Sequence, residues 1–153
     1  MAMLGLSVWQ PWASLIAVGA KQYETRSWRP PVSLIGKRLA ICSSQTVEGL
    51  LVSAQDHAFW NLCLRRLGHH QLPMGTVVAV VTVAGCIGTT APAARRISAR
   101  ERLVGDWSEG RWAWKLEDVR PLAKPVPVLG SQRFFYLPAR VLAQVSAQIG
   151  DGP

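Results

Sequence analysis

The segment Thr76-Val77-Val78-Ala79-Val80-Val81-Thr82-Val83-Ala84 constrains the fold most. A nearly continuous β-branched run between Gly75 and Gly85 suits a strand buried on both faces. Such a strand belongs in the middle of a sheet.

Shorter strands read out around it. Leu4 to Val8 is a compact apolar run, and Lys37 to Cys42 alternates so that Leu39 and Ile41 share a face. Trp112 to Glu117 places Trp112, Trp114 and Leu116 on one side, a core face rather than a stacking platform. Phe134 to Leu137 is a late strand after the turn Gly130-Ser131-Gln132-Arg133. Between them, Gly85, Gly88 and Pro92 punctuate a loop, and Pro121, Pro125 and Pro127 mark an irregular or edge segment.

Helices alternate with these strands. Pro11 fits the first position of a helix carrying the stripe Trp12, Leu15 and Ile16, which Gly19 ends in the left-handed conformation. Thr46 to Leu67 is helical with a break near His57, and Gly68 stops it. A segment starting near Ser98 is helical, and Pro138 opens a last helix with Val141, Leu142 and Val145 inward. Asp151 to Pro153 is expected to fray. The 153 residues make one domain, 1–153, of the α+β class, with no repeat or linker.

The chemistry concentrates just after the first helix. A strand over Tyr23 to Trp28 puts Glu24, Arg26 and Trp28 on one face, with Lys21 at its entrance. A carboxylate beside an arginine fixes the guanidinium fork and leaves donors facing outward. The helix C-terminus favours the ammonium of Lys21 and Arg26 disfavours it, which leaves its charge state open. The bland alternative is an edge strand kept soluble by alternating charges.

Net charge is +8, and thirteen of the seventeen cations are arginine. An anionic partner is implied, nucleic acid first, although a general arginine bias in coding would give the same count. Arg95, Arg96, Arg100 and Arg102 form the densest basic patch. They contact a nucleic-acid backbone or make a solvated helix face. Trp107, on a loop, is a candidate for stacking on a base. Ser43, Ser44 and Thr46 are turn and helix-cap candidates.

Several classes are disfavoured. Cys42, Cys63 and Cys86 are odd in number and lack a C-x-x-C pair, which fits a reducing cytoplasm. With His69 and His70 they do not make metal spacing, so no metal or other cofactor is expected. The apolar opening lacks a basic start and is interrupted by Trp9-Gln10-Pro11-Trp12, unlike a secretory signal. A cytoplasmic monomer without membrane association is expected.

The pattern Gly-x-Lys-x-x-Glu-x-Arg is complete at Gly19, Lys21, Glu24 and Arg26. Leu6-Ser7-Val8-Trp9-Gln10-Pro11-Trp12-Ala13 precedes it, and Gly110-Arg111-Trp112-Ala113-Trp114-Lys115-Leu116-Glu117 follows in order. Together they resemble the ASCH domain family. That resemblance implies a PUA-like mixed β-barrel of about five to six strands with flanking helices. It also implies a cleft lined by Lys21, Glu24 and Arg26, with Trp9, Gln10 and Trp12 from the same junction as stacking and amide contacts, and with the strand end at Ser43 and Ser44 abutting it so that their hydroxyls reach a ligand.

The functions implied are RNA or other nucleic-acid binding, single-stranded RNA foremost, as a non-catalytic regulatory module or with metal-independent ribonuclease activity. In the cleavage reading Lys21, Glu24 and Arg26 are the catalytic set. The family also contains amidohydrolases of acetylated cytidine, so a modified nucleoside is a further candidate ligand. In that branch a threonine stands where this chain has Glu24, and a later acid completes the site. Glu101, Glu109 and Glu117 are the candidates for that acid here.

Overall fold

The structure, a computed structural model, describes residues 2–150. Asp151 to Pro153, expected to fray, lie outside the described residues.

Six strands form one mixed sheet in the order β2-β5-β4-β3-β1-β6. They are β1 (Leu4–Val8), β2 (Tyr23–Arg26), β3 (Arg38–Ser43), β4 (Thr76–Gly88), β5 (Trp112–Pro127) and β6 (Phe134–Tyr136). β1 runs parallel to β3, with Leu6 opposite Ile41, and the other pairings are antiparallel. The β-branched run is central as expected. Val81 and Val83 pack with Leu6, Leu39 and Trp114 in one cluster, while Val77 and Val80 pack with Met3, Leu122 and Val145 in another. Burial on both faces is why its sequence shows no polar alternation.

The sheet curls because the long strands slip register. Shifts occur in the β3–β4 pairing at Ile41/Cys42 and in the β4–β5 pairing at Val77/Ala79, Val80/Thr82 and Val83/Gly85. Each bulge bends a strand and increases its twist. The curl brings β2, at one end, toward β1 and β6 at the other, and no backbone ladder joins them. Side chains close that seam. Arg26 on β2 donates from Nη2 to the carbonyl of Ser7 on β1 at 2.8 Å. Trp28 meets the Phe134 ring edge-on at 5.2 Å.

These pairings correct one expectation and decide another in favour of the edge strand. Gly85 and Gly88 do not lie in a loop: β4 continues through them, opposite Lys115 and Trp112. Pro121, Pro125 and Pro127 belong to the second half of β5, where only β4 pairs with it. A strand with a free side tolerates residues that lack an N–H. The side chain of Gln148 bonds both the N–H and the C=O of Lys124, covering that side.

Five helices flank the sheet: α1 (Trp12–Ala17), α2 (Glu48–Ser53), α3 (His57–Leu67), α4 (Ala99–Leu103) and α5 (Ala139–Ile149). α1 starts one residue later than the proline rule predicted, with Pro11 as its N-cap after a cis Gln10–Pro11 bond. Gly19 (φ +78°) turns the chain after α1, and the N–H groups of Ala20 and Lys21 both bond the carbonyl of Leu15. The expected break lies between α2 and α3, where Asp56 caps α3 by accepting from the N–H of Phe59 at 3.0 Å. α5 packs on β5 through Val145, with Val141 and Leu142 partly buried beside it.

Candidate nucleic-acid interface

The turn after α1 delivers Lys21 into the seam of the curled sheet. Its side chain is 2% exposed, and Nζ donates to the carbonyl of Val104 at 2.9 Å. Glu24 Oε1 lies 3.7 Å from that nitrogen, and Glu24 Oε2 accepts from Arg26 Nη2 at 3.0 Å. Lysine, carboxylate and guanidinium therefore form one connected set. Glu24 and Arg26 share a side of β2, as the two-residue period predicted.

Burial lowers the proton affinity of Lys21 below that of an ordinary lysine. The charges of Glu24 and Glu101 work against that effect, and Arg26 adds to it. The question left open by the sequence is thereby answered in favour of easier deprotonation. An amine in a dry site resists carrying charge more than the helix end encourages it.

A hollow of about 530 Å³ opens over this set. Lys21 lines it from the turn after α1, Glu24 and Arg26 from β2, Trp9 from the turn before α1, Trp12 from the start of α1, and Val104 and Gly105 from the loop after α4. Gly105 is required here, because a Cβ on it would come within 2.9 Å of Trp107 Nε1 and 3.3 Å of Lys21 Nζ. Trp12 is stacked on Phe59, with ring centroids 5.3 Å apart, whereas Trp9 is 39% exposed. Trp9 is thus the aromatic surface open to a ligand.

Two charged members of the hollow escaped sequence reading, Asp106 and Arg111. Asp106 Oδ2 pairs with Arg111 Nε at 3.3 Å, and Arg111 Nη2 donates to the carbonyl of Thr25 at 3.0 Å. The Asp106 N–H donates to Thr25 Oγ1 at 3.1 Å. The Ser108 hydroxyl and N–H on the same carboxylate hold its proton affinity below the usual range, with a smaller effect of Arg111. The signal available in the sequence was an acid and a base on either side of a glycine turn.

Other expected residues are placed elsewhere. Gln10 is buried, and its amide bonds the hydroxyl and N–H of Ser14 and the carbonyl of Pro73, so it braces the turn instead of facing the hollow. The strand ends at Arg26, and Trp28, half-buried, packs against the core at Trp114, whose Nε1 donates to its carbonyl at 3.2 Å. Trp107 is half-buried, bonds the carbonyl of Glu101 and meets Tyr23 edge-on. Ser43 bridges to Thr76, and Ser44 accepts from the N–H of Thr46. Both serines line a second hollow beyond Trp9. Arg95 and Arg96 are exposed on a short 3-10 turn (Pro92–Arg96), and Arg100 is half-buried on α4. None of the three lines the first hollow.

The candidate acids of the hydrolase reading are likewise set apart. Glu101 is buried and accepts from the N–H groups of Gln22 and Tyr23 at 2.9–3.1 Å, fastening β2 to α4. Glu117 pairs with Lys115 on the surface, and Glu109 is exposed. None of them lines the hollow. Among the described residues no His, Cys, Asp and Glu cluster could hold a metal ion. Burial raises the thiols of Cys42 to about 12 and Cys63 to about 11, so neither is a thiolate near neutral pH. No helix among the described residues is long and apolar enough to cross a membrane.

A six-stranded curled half-barrel with five helices and a basic hollow in its seam is the PUA-like α+β class. The ASCH domain model matches residues 6–126. The chain belongs to the ASCH domain family. Among solved structures it is similar to ASCH from Zymomonas mobilis, at 15% identity and a TM-score of 0.57, over 97% of this chain and 96% of that one. Two single-residue mutants of the same protein match with the same TM-score, at 15% and 14% identity. That likeness is one of fold. No curated protein matches the sequence.

Proposed function

We propose that this protein binds single-stranded RNA, taking one nucleotide into the hollow over Lys21, Glu24 and Arg26. The observation that carries the reading is the buried Lys21 amine, held between the Val104 carbonyl and Glu24 on the floor of a hollow beside the open Trp9 ring. Single strands are read by stacking unstacked bases and bonding their edges, while cations on phosphate set affinity. Trp9 supplies the stacking face. Glu24, Asp106 and the backbone of Val104 and Gly105 offer groups for a base edge. Arg26 and Arg111 supply charge for phosphate, and a net charge of +8 agrees with an anionic ligand.

A second reading, metal-independent cleavage, is favoured by the lowered proton affinity of Lys21. The neutral amine takes the proton of a ribose 2′-hydroxyl as its oxygen attacks phosphorus. The bond to the 5′-oxygen breaks, and that oxygen takes a proton from water, whose hydroxide recovers the proton held by Lys21, leaving a 2′,3′-cyclic phosphate, a 5′-hydroxyl and the neutral amine. Arg26 steadies the charge gathered on phosphorus.

Anisotropy of a labelled single-stranded RNA across a salt series, with strand integrity followed on gels, tests both. Binding should weaken as salt rises, with a slope set by the number of phosphates neutralised. Binding that persists unchanged in molar salt would contradict the charge-driven part. Cleavage that rises with pH below the ordinary lysine range and vanishes in Lys21→Met, with binding of the intact strand still detectable, selects the enzyme. Binding without any cleavage selects the module.

A further inference from the structure

We infer that the protein holds two consecutive nucleotides, the second in the hollow between the end of β1 and the 130–133 turn, with Arg26 at the phosphate that links them. This rests on the nucleotide reading of the first hollow. The second hollow measures about 610 Å³, and both volumes fall within about 300–1,000 Å³, the range of small-ligand sites. Ser7, Trp9 and Arg26 line both. The two are therefore chambers on either side of one wall, and a flexible strand can run from one to the other across it.

The wall itself has the chemistry of a phosphodiester site. The bonds of Arg26 to Ser7 and to Glu24 both use Nη2. Nη1 and Nε are the remaining donors of a fork already fixed in orientation, the geometry that suits paired contact with a phosphate. Trp9 stands beside it, exposed enough to stack on a base from either chamber.

Beyond the wall, the second chamber is hydroxyl-rich and carries one further cation. Ser44, Thr46 and Gln132 line it, and Arg133 lies 5.0 Å from the Trp28 ring centroid. Arg133 has φ +61°, a backbone conformation that L residues rarely adopt. Strain of this kind persists where the surroundings enforce it, and it clusters at ligand sites. The turn is pressed close to β1, since a Cβ on Gly130 would lie 3.1 Å from Ser7 Oγ. Glu48 is the acid facing these groups. It keeps the chamber from attracting anions indiscriminately and offers an acceptor for a base amino group.

Calorimetry on the full chain, with mixed nucleoside 3′-monophosphates and mixed RNA dinucleotides as ligands, tests the assignment. The dinucleotides should bind the native protein about tenfold tighter or more, because the second contact is made within an already tethered ligand. Two variants of exposed side chains address the second chamber: Thr46→Trp fills it, and Arg133→Glu reverses its cation. Each should bring dinucleotide affinity down to that of the monophosphate and leave the monophosphate unaffected. Equal affinity for both ligands in the native protein would overturn the second subsite while leaving the first intact. Loss of both ligands alike in either variant would also overturn it. Absence of any monophosphate or dinucleotide binding to the native protein would remove the nucleotide reading itself.

Discussion

Lys21 is the residue on which the proposed chemistry turns, and its burial gives it a pH signature. The unfolded chain binds its proton with ordinary lysine affinity, while the folded chain binds it less tightly. Between the two values the unfolded state carries more protons, so stability rises as pH climbs through the folded-state value toward 10.5. Urea midpoints measured from neutral to alkaline pH should show this rise in the native protein relative to Lys21→Met, and parallel curves would refute it. The same variant should weaken RNA binding without abolishing it, because Glu24 is left paired with Arg26 alone while Trp9 and the arginines remain. Trp9→Ala should weaken RNA binding by about 1–3 kcal/mol with little change in stability, as read by titration and melting together. The sequence made Lys21, Glu24 and Arg26 legible because all three come from one short segment with a strand period. Gln10 was misread because its partners, Ser14 and the Pro73 carbonyl, are set by the folded turn and by a loop 63 positions away.

At the scale of elements, the hollow depends on how β2 and α2 are anchored. β2 is only Tyr23–Arg26, and Glu101 on α4 accepts the N–H groups at its start. Glu101→Gln keeps the shape but turns a donor toward those donors, and it should destabilise by about 2 kcal/mol by denaturant unfolding. Little change would mean that water replaces the clamp. α2 reaches the rim of the hollow through Val52 and lies against the turn before α1 at Gly49, where a Cβ would run into the Gln10 carbonyl. Gly49→Ala should cost about 1–3 kcal/mol and displace α2, weakening RNA binding along with stability. The clamp was hidden in the sequence because an acid in a basic segment looks like a surface charge until its partner is known. β5 was underestimated for a different reason. Its prolines read locally as an irregular or edge segment; the edge is right, but the free side of the strand and the Gln148 cover let them continue the strand begun at Trp112.

At the scale of the whole molecule, the central strand, the covering helices and the order of the elements were all legible, because each follows from burial and local turn chemistry. The curl was legible only through the family resemblance, which implied a barrel, since it arises from register slips between β3, β4 and β5 that no single segment encodes. The seam was not legible, because it exists only once the curl has brought Arg26 to Ser7 and Trp28 to Phe134. That seam makes any occupant of the hollow part of the architecture. Among the described residues no strand pairing joins the sheet's two ends, so a molecule gripping both acts as a crosspiece there. An occupied protein should therefore resist heat and hydrogen exchange along β1 and β2 more than a guest of that size would confer on a closed barrel.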